Sequence, residues 1–218
     1  MKTVFTNNYA SKLIIYFAGW GTPPEAVSHL TLSPEYDLLI CYDYQQLTLD
    51  FNFIPYQEIY VIAWSLGVWV AERVLGGIVT AEKLTSAVAI NGTGLPIDDQ
   101  QGIPTQVFQA TVENLTPNSR QKFERRMCDN AISLAQYRSY LSREFEDVNS
   151  ELHFLFHQIQ QDRRIDLLTW KKAIIGQQDR IFPVQNQTVY WQKRCPISYI
   201  ESGHYLFNQF QHWEQLWA

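Results

Sequence analysis

Tyr60-Val-Ile-Ala-Trp-Ser-Leu-Gly67 decides the fold class of this chain. A β-branched, apolar run stops at Ser65, and helically spaced apolar residues follow directly, which predicts a strand, a one-residue elbow and a helix. So tight a turn needs small residues two positions before and two positions after the serine, and Ala63 and Gly67 stand there. This context predicts a nucleophile elbow that lifts the serine hydroxyl above a helix N-terminus. An ordinary strand-to-helix turn is the alternative, and other segments decide between the two.

Two later segments carry the partners that a serine nucleophile requires. Lys172–Asp179 and Ile197–His204 each read as a short apolar strand followed by a polar turn. The chain therefore offers Ser65, Asp179 and His204, each just beyond a predicted strand, in the chain order of α/β-hydrolases. A serine hydroxyl is a weak nucleophile until an imidazole takes its proton, and a carboxylate fixes the imidazole tautomer. We predict that these three residues form a catalytic triad.

Competing assignments are weaker. Asp98 and Asp99 follow an earlier strand, but they lack the Gly-x-x-Asp-x-x-x-Pro setting of Asp179, which is typical of the acid loop. His153 and His157 are four residues apart on a predicted helix, but the intervening Phe-Leu-Phe lacks the glutamate of the zinc-protease motif. We therefore expect no metal site and no cofactor.

The oxyanion hole is predicted from Leu13-Ile-Ile-Tyr-Phe-Ala-Gly-Trp-Gly21, which reads as a strand that runs into a tryptophan between two glycines. In α/β-hydrolases a loop after the third strand donates one N–H to the oxyanion, and the residue after the nucleophile donates the other. The predicted donors are the backbone N–H groups of Trp20 and Leu66. We also expect Trp20, Trp64 and Leu66 to wall an apolar slot that suits a methylene chain. A plain turn with a half-buried tryptophan is the alternative.

Composition favours one α/β domain without a membrane segment. The 218 residues are 46% hydrophobic, the first five residues lack the apolar core of a signal peptide, and no apolar run approaches the length of a membrane span. We therefore expect a cytoplasmic protein. Three widely spaced cysteines are expected to stay reduced. We also expect a monomer. A net charge of −5 argues against nucleic acid as a partner.

The elbow and the chain order Ser65, Asp179, His204 predict the α/β-hydrolase fold, with a mostly parallel sheet, helices on both faces and a helical lid inserted before the acid-bearing strand. Residues 98–170 show helical spacing without a convincing strand, and Thr116-Pro117 predicts a helix start inside them. The expected division is a core of residues 1–97 and 171–218 and a lid of residues 98–170. A hairpin is expected over residues 2–17, and strands are expected near residues 36–42, 58–64, 84–91, 172–177 and 196–201.

Three of these segments together resemble the pimeloyl-[acyl-carrier protein] methyl ester esterases of biotin synthesis, in their compact BioG type. They are the elbow, Phe17-Ala-Gly-Trp-Gly21 and Gly203-His-Tyr-Leu-Phe207, and the resemblance extends over essentially the whole chain. It implies a serine carboxylesterase that releases methanol from a carrier-bound pimeloyl methyl ester through an acyl-enzyme, without a cofactor. Phe17-Ala18 departs from the His-Gly of the longer BioH type. A general short-chain esterase, a thioesterase of the same fold and a non-catalytic receptor remain alternatives.

One basic stretch is relevant to the implied partner. Residues 120–143 carry a net charge of +4, which leaves −9 for the rest of the chain. Acyl carrier proteins are strongly acidic, and the resemblance implies that basic lid residues dock such a partner. A solvated helix face is the alternative. The docking candidates, of which Arg125 is the best match, are Arg120, Lys122, Arg125, Arg126 and Arg138.

Overall fold

A computed structural model of the chain describes residues 1–218 and contains one seven-stranded sheet. The strands lie in the order β1-β3-β2-β4-β5-β6-β7, and every neighbouring pair is parallel except β1 with β3. The five predicted strands from residue 36 onward are confirmed. The strands are β1 (Lys2–Thr6), β2 (Lys12–Phe17), β3 (Tyr36–Tyr42), β4 (Glu58–Trp64), β5 (Leu84–Ile90), β6 (Lys172–Gly176) and β7 (Ile197–Ile200).

The expected hairpin over residues 2–17 is wrong. Strand β1 pairs antiparallel with β3, whereas β2 lies between β3 and β4 and is parallel to both. Burial explains the difference, because every residue of β1 is exposed and nearly every residue of β2 is buried. An apolar strand takes the centre of a sheet, and the polar strand can only occupy its edge. Asn8 then bonds to β3, since its backbone N–H donates to Asp37 Oδ1 at 2.8 Å.

Helices occupy the segments between the strands. Four of them, α2 to α5, lie between β5 and β6, inside the segment 98–170. The predicted helix start at Thr116 is confirmed by a capping box, in which the Thr116 hydroxyl accepts from the Ser119 N–H and the Ser119 side chain accepts from the Thr116 N–H. The helices are α1 (Gly67–Leu75), α2 (Thr105–Glu113), α3 (Pro117–Met127), α4 (Ala131–Ser139), α5 (Phe145–Gln161) and α6 (Val184–Trp191).

The parallel strands place the predicted site residues on one edge of the sheet. The carboxyl ends of β2, β4, β6 and β7 point in the same direction, and they lead to Trp20, Ser65, Asp179 and His204 respectively. The loop with Trp20 follows the second strand of this chain, because only β1 precedes β2. None of the helices combines the length and the apolar character needed to cross a bilayer.

Candidate active site

The elbow at Ser65 is as tight as the sequence predicts. Ser65 adopts φ 59°, a left-handed conformation that non-glycine residues rarely adopt. A Cβ on Gly67 would lie 2.5 Å from the carbonyl oxygens of Phe17 and Ala18, and a Cβ on Gly92 would collide with the Ser65 carbonyl oxygen. The backbone of β2, the elbow and the loop after β5 are therefore in direct contact. This close approach holds the strained serine in place.

Ser65, His204 and Asp179 form one hydrogen-bonded line. His204 Nε2 lies 2.9 Å from Ser65 Oγ, and His204 Nδ1 lies 2.9 Å from Asp179 Oδ2. A carboxylate can only accept a hydrogen bond, so the proton between Asp179 and the imidazole belongs to Nδ1. Nε2 is then free to accept the serine proton. All three side chains are buried or nearly so, which strengthens this polar contact.

The Asp179 carboxylate is held by four donors. Its Oδ1 accepts the backbone N–H groups of Ile181 and Phe182 at 2.8 and 3.1 Å, and its Oδ2 accepts Gln187 Nε2 at 2.9 Å in addition to the His204 Nδ1–H. The carboxylate therefore cannot rotate away from the imidazole. Gln187 lies on α6 and is fully buried, but sequence reasoning missed it, because nothing local links it to Asp179.

Asp98 and Asp99 hold backbone turns at other places in the chain. Asp98 accepts from the N–H groups of Gln100 and Gln101 and pairs with Arg163, whereas Asp99 accepts from the Thr105 N–H at the start of α2. Neither carboxylate contacts His204. The structure thus brings Asp179, and not these alternatives, to the imidazole.

Side-chain donors hold the backbone of the histidine loop, which contains Gly203 and His204. The His204 carbonyl oxygen accepts Trp64 Nε1 at 2.9 Å and Asn91 Nδ2 at 2.8 Å, and Asn91 Oδ1 accepts the Gly176 N–H at 2.7 Å. Asn91 thereby ties the ends of β5, β6 and the histidine loop together. Sequence reasoning did not assign Asn91 to the site, although its place just beyond β5 follows the same strand-end rule as the triad.

The two predicted oxyanion donors are free. Neither the Trp20 N–H nor the Leu66 N–H donates to another group of the chain, and both residues line the cavity that contains Ser65. Helix α5 holds the predicted oxyanion loop, Gly19-Trp20-Gly21, from outside: Trp20 Nε1 donates to the Val148 carbonyl oxygen at 2.8 Å. Two unpaired backbone N–H groups are thus left on residues that line the cavity of the serine.

The cavity above the triad is a narrow apolar slot. Its volume is about 40 Å³, and ten of its sixteen lining residues are hydrophobic. Arg126 and Arg180 also line the slot, and neither has an ion-pair partner. The apolar lining residues are Trp20, Trp64, Leu66, Ile103, Val107, Phe108, Phe123, Met127, Leu152 and Ile181.

The five docking candidates of the basic stretch fall into two groups. Glu124, which is buried on α3, pairs with Arg120 at 3.5 Å and with Arg138 at 2.9 Å. Arg138 therefore connects α4 to α3, whereas the Arg120 pair lies within α3, and both pairs fall inside the segment 98–170. Lys122, Arg125 and Arg126 are exposed and form no ion pair, and the Arg126 guanidinium lies over the Phe123 ring.

No metal centre is evident. No group of three or more His, Cys, Asp or Glu side chains is arranged to hold a metal ion. His153 and His157 lie exposed on α5, and their ring nitrogens bond to Asn149 and Gln161 of the same helix.

Comparison with known proteins places this geometry in a family. The model of the family described as pimeloyl-ACP methyl esterase BioG matches residues 1–216. The chain belongs to the BioG family. It is a carboxylic ester hydrolase. The recognition made from the elbow, the oxyanion segment and the histidine segment is confirmed.

Three relatives support the family and the fold. The crystal structure of BioG from Haemophilus influenzae has a TM-score of 0.96, is 53% identical and covers 100% of both chains. A malonyl-[acyl-carrier protein] O-methyltransferase of Bacteroides fragilis is 40% identical over 88% of this chain, which spans only 39% of that protein's length. A lipase-esterase related protein from Clostridium acetobutylicum has a TM-score of 0.61 at 14% identity, over 94% of this chain and 92% of its own. The predicted α/β-hydrolase fold is confirmed.

Replacing Gly67 with Ala is expected to damage both stability and turnover. The new Cβ would press on the carbonyl oxygens of Phe17 and Ala18, so the free energy of unfolding should fall by about 1–3 kcal/mol or more. The same contact displaces the strand that leads to the oxyanion loop. Thermal unfolding and ester hydrolysis per folded molecule measure the two effects.

Gly77→Ala is the matched control. Gly77 has φ 82° and nothing within 4 Å of its Cβ position, so the change introduces only backbone strain, on the order of 1–2 kcal/mol. Its turnover per folded molecule should equal that of the wild type. If Gly67→Ala also kept wild-type turnover per folded molecule, the crowding of the elbow against Phe17 and Ala18 would have no effect on the oxyanion loop, and the prediction would be wrong.

Proposed function

We propose that this chain hydrolyses the methyl ester of pimeloyl-[acyl-carrier protein] in biotin synthesis, with Ser65, His204 and Asp179 as its catalytic triad. The observation that carries the proposal is the hydrogen-bonded line Ser65–His204–Asp179 at the base of a narrow apolar slot, in a chain of the BioG family. The products are methanol and pimeloyl-[acyl-carrier protein] with a free ω-carboxylate.

The reaction proceeds by acyl transfer in two steps. His204 Nε2 takes the Ser65 proton as Oγ attacks the ester carbonyl carbon, and the N–H groups of Trp20 and Leu66 stabilise the oxyanion. The same imidazole protonates the leaving methoxide, which departs as methanol and leaves an acyl-enzyme. His204 then deprotonates a water that attacks the acyl carbon, and Ser65 recovers its proton. Asp179 keeps its charge throughout and orients the imidazole.

The shape of the slot supports an ester at the far end of a linear chain. The methyl ester of a pimeloyl group lies at the opposite end from the carrier, so it enters first and the methylenes follow it. The narrow apolar walls fit methylenes and exclude bulky acyl groups. A general short-chain esterase or a thioesterase would use the same triad, and substrate tests separate these alternatives.

We assign residues 98–170 to a lid over a core of residues 1–97 and 171–218. Helices α2 and α3 of this segment contribute Val107, Phe108, Phe123 and Arg126 to the walls of the slot. The Met127 carbonyl oxygen at the end of α3 accepts the Tyr205 N–H at 2.9 Å, which brings the lid against the histidine loop.

A surface groove between α2 and α3 gives the carrier-bound chain its route. The groove has a volume of about 570 Å³ and shares Val107, Thr111, Phe123 and Arg126 with the slot. The amide and hydroxyl groups of Asn114 and Ser119 and the ammonium group of Lys122 line its outer part. We place the phosphopantetheine arm there, because its amides need polar partners and its phosphate needs a cation.

The unpaired cations Lys122 and Arg125 form the docking surface for the acidic carrier in this proposal. Arg126 lies at the entrance of the slot, whereas Arg120 and Arg138 contribute indirectly, since Glu124 already engages both. Exposed cations without an internal partner are available to steer an acidic protein toward the groove.

Ser65→Ala is expected to abolish methanol release while the fold is retained. Alanine fits the elbow sterically, so only the nucleophile is lost, and the rate should fall by about 10⁴-fold or more. The assay uses the carrier-bound pimeloyl methyl ester and follows methanol and the intact thioester separately. Cleavage of the thioester by the wild type would favour the thioesterase alternative. Residual turnover above about a hundredth of the wild-type rate would exclude Ser65 as the nucleophile.

Asp179→Asn is expected to lower kcat by roughly 10⁴-fold, as the equivalent change does in serine proteases, because an amide favours the wrong imidazole tautomer. Asp98→Asn is the matched control, since this carboxylate also accepts two backbone N–H groups but does not contact His204. Its kcat should stay near that of the wild type. The opposite ranking of the two variants would transfer the role of the acid to the earlier loop.

The double variant Lys122→Glu/Arg125→Glu is expected to lower kcat/KM for the carrier-bound ester by about tenfold, because reversed rim charges oppose the encounter. Hydrolysis of a small soluble ester should be unchanged. Raising salt should erode the wild-type advantage on the carrier-bound ester, as the Debye length falls from about 10 Å at 0.1 M to about 3 Å at 1 M.

Lys193→Glu provides the control for charge alone. Lys193 is exposed and unpaired beyond the end of α6, outside the lid segment, so the variant should keep wild-type kcat/KM on both substrates. Equal losses by the double variant on the carrier-bound and the soluble ester would indicate a role in lid packing instead of docking.

A further inference from the structure

Helix α5 of the lid segment grips the oxyanion loop at two points. Trp20 Nε1 donates to the Val148 carbonyl oxygen at 2.8 Å, and the Gly21 N–H donates to Glu151 Oε2 at 3.1 Å. The other carboxylate oxygen, Glu151 Oε1, accepts the Tyr44 N–H at 3.0 Å beyond the end of β3. One buried side chain thus connects the lid, the oxyanion loop and the sheet.

The charge of Glu151 is matched inside the protein. Its side chain is fully buried, and Arg143 pairs with it through Nη1 and with Asp43 Oδ1 through Nη2 at 2.6 Å. Lys2 Nζ lies 2.7 Å from the other oxygen of Asp43. Burial raises the pKa of Glu151 above its ordinary value, while Arg143 and the N–H groups of Tyr44 and Gly21 oppose that rise.

Burying a carboxylate at a helix interface costs desolvation free energy. Desolvation of an ion pair can exceed its Coulombic gain, and apolar residues of similar volume often give a more stable protein. Glu151 offers something that an apolar residue cannot, namely strong acceptors aimed at two backbone N–H groups. Its contribution therefore lies in orientation.

We propose that Glu151 is a positioning residue for the oxyanion hole, acting through the Gly21 N–H to aim the Trp20 N–H at the reacting carbonyl. Gly21 has φ 69°, which turns the chain sharply directly after Trp20. The bond from Gly21 to Glu151 and the bond from the Trp20 indole to Val148 restrain Trp20 through the peptide that follows it and through its side chain. The inference rests on the proposed function, because it takes the Trp20 N–H as an oxyanion donor.

Placing this residue on α5 gives the lid a part in the chemistry. A shift of α5 would move both attachments of the oxyanion loop at once. Arg120 Nη1 also donates to the Arg143 carbonyl oxygen at 3.3 Å, so α3 contacts the same cluster. The lid then shapes the slot and also fixes the direction of an oxyanion donor.

Glu151→Gln tests the proposal, because it keeps the shape but removes the charge and turns an NH₂ group toward donors. Loss of a whole oxyanion donor lowers kcat by about 10²–10³-fold, so a misaimed donor should lower it by about 10–100-fold. KM for a small soluble ester should change little, because the donor acts mainly in the transition state. Labelling of Ser65 by a fluorophosphonate should slow by a similar factor.

Glu72→Gln is the matched control. Glu72 is also fully buried, accepts Trp170 Nε1 at 2.9 Å and pairs with Arg73, but it does not contact the oxyanion loop. Both variants should lose thermal stability, and only Glu151→Gln should lose kcat and labelling rate per folded molecule. Equal kcat in the two variants would reduce Glu151 to a structural role and overturn the proposal.

Glu151→Asp keeps the test decisive where the glutamine variant does not fold. Aspartate retains the charge that Arg143 requires, but its oxygens are withdrawn by about one C–C bond, roughly 1.5 Å. The expected result is again a lower kcat at nearly constant KM, and wild-type kcat would overturn the proposal. A wild-type protein that neither hydrolyses esters nor is labelled at Ser65 would refute the proposed function itself, which is a separate outcome.

Discussion

The left-handed backbone at Ser65 is the constraint on which the rest of the site depends. An L-residue with φ 59° persists only when its surroundings hold it, and here the loop after β5 and the end of β2 press on the elbow from two sides. The Ser65 N–H donates to the Ile90 carbonyl oxygen at 2.9 Å, which anchors the elbow to β5. Small residues at positions 67 and 92 follow from this crowding. The strained turn places the Ser65 hydroxyl against His204 and leaves the Leu66 N–H without a partner.

Local sequence motifs made much of the fold and of the triad geometry predictable. The elbow, the acid loop and the histidine segment each carry their signal within a few residues, and the parallel strands bring them to one edge of the sheet. The predicted N-terminal hairpin is wrong because strand pairing depends on which strand is apolar enough for the centre of the sheet. Proximity along the chain does not decide which strands pair. β1 therefore crosses to the edge beside β3.

Contacts between distant parts of the chain could not be predicted. Asn91 and Glu151 form hydrogen bonds to His204 and Gly21, which lie 113 and 130 positions away along the chain. Gln187 lies only eight positions from Asp179, but no local motif marks the two as partners. The distribution of charge along the sequence likewise located the basic stretch but could not show which of its cations form ion pairs. Glu124 lies within that stretch, and only three-dimensional packing shows that it engages Arg120 and Arg138.

The lid segment distributes its charge according to depth. Its two buried carboxylates, Glu124 and Glu151, each have arginine partners, because an unpaired charge would be prohibitively costly inside the protein. The cations that remain unpaired, Lys122, Arg125 and Arg126, are left at the surface. In the proposed function, an internal set of ion pairs that holds the lid segment in place is thus compatible with an outer set available to an acidic partner. Recognition and positioning would then share the segment 98–170, because desolvation separates the two sets of charges.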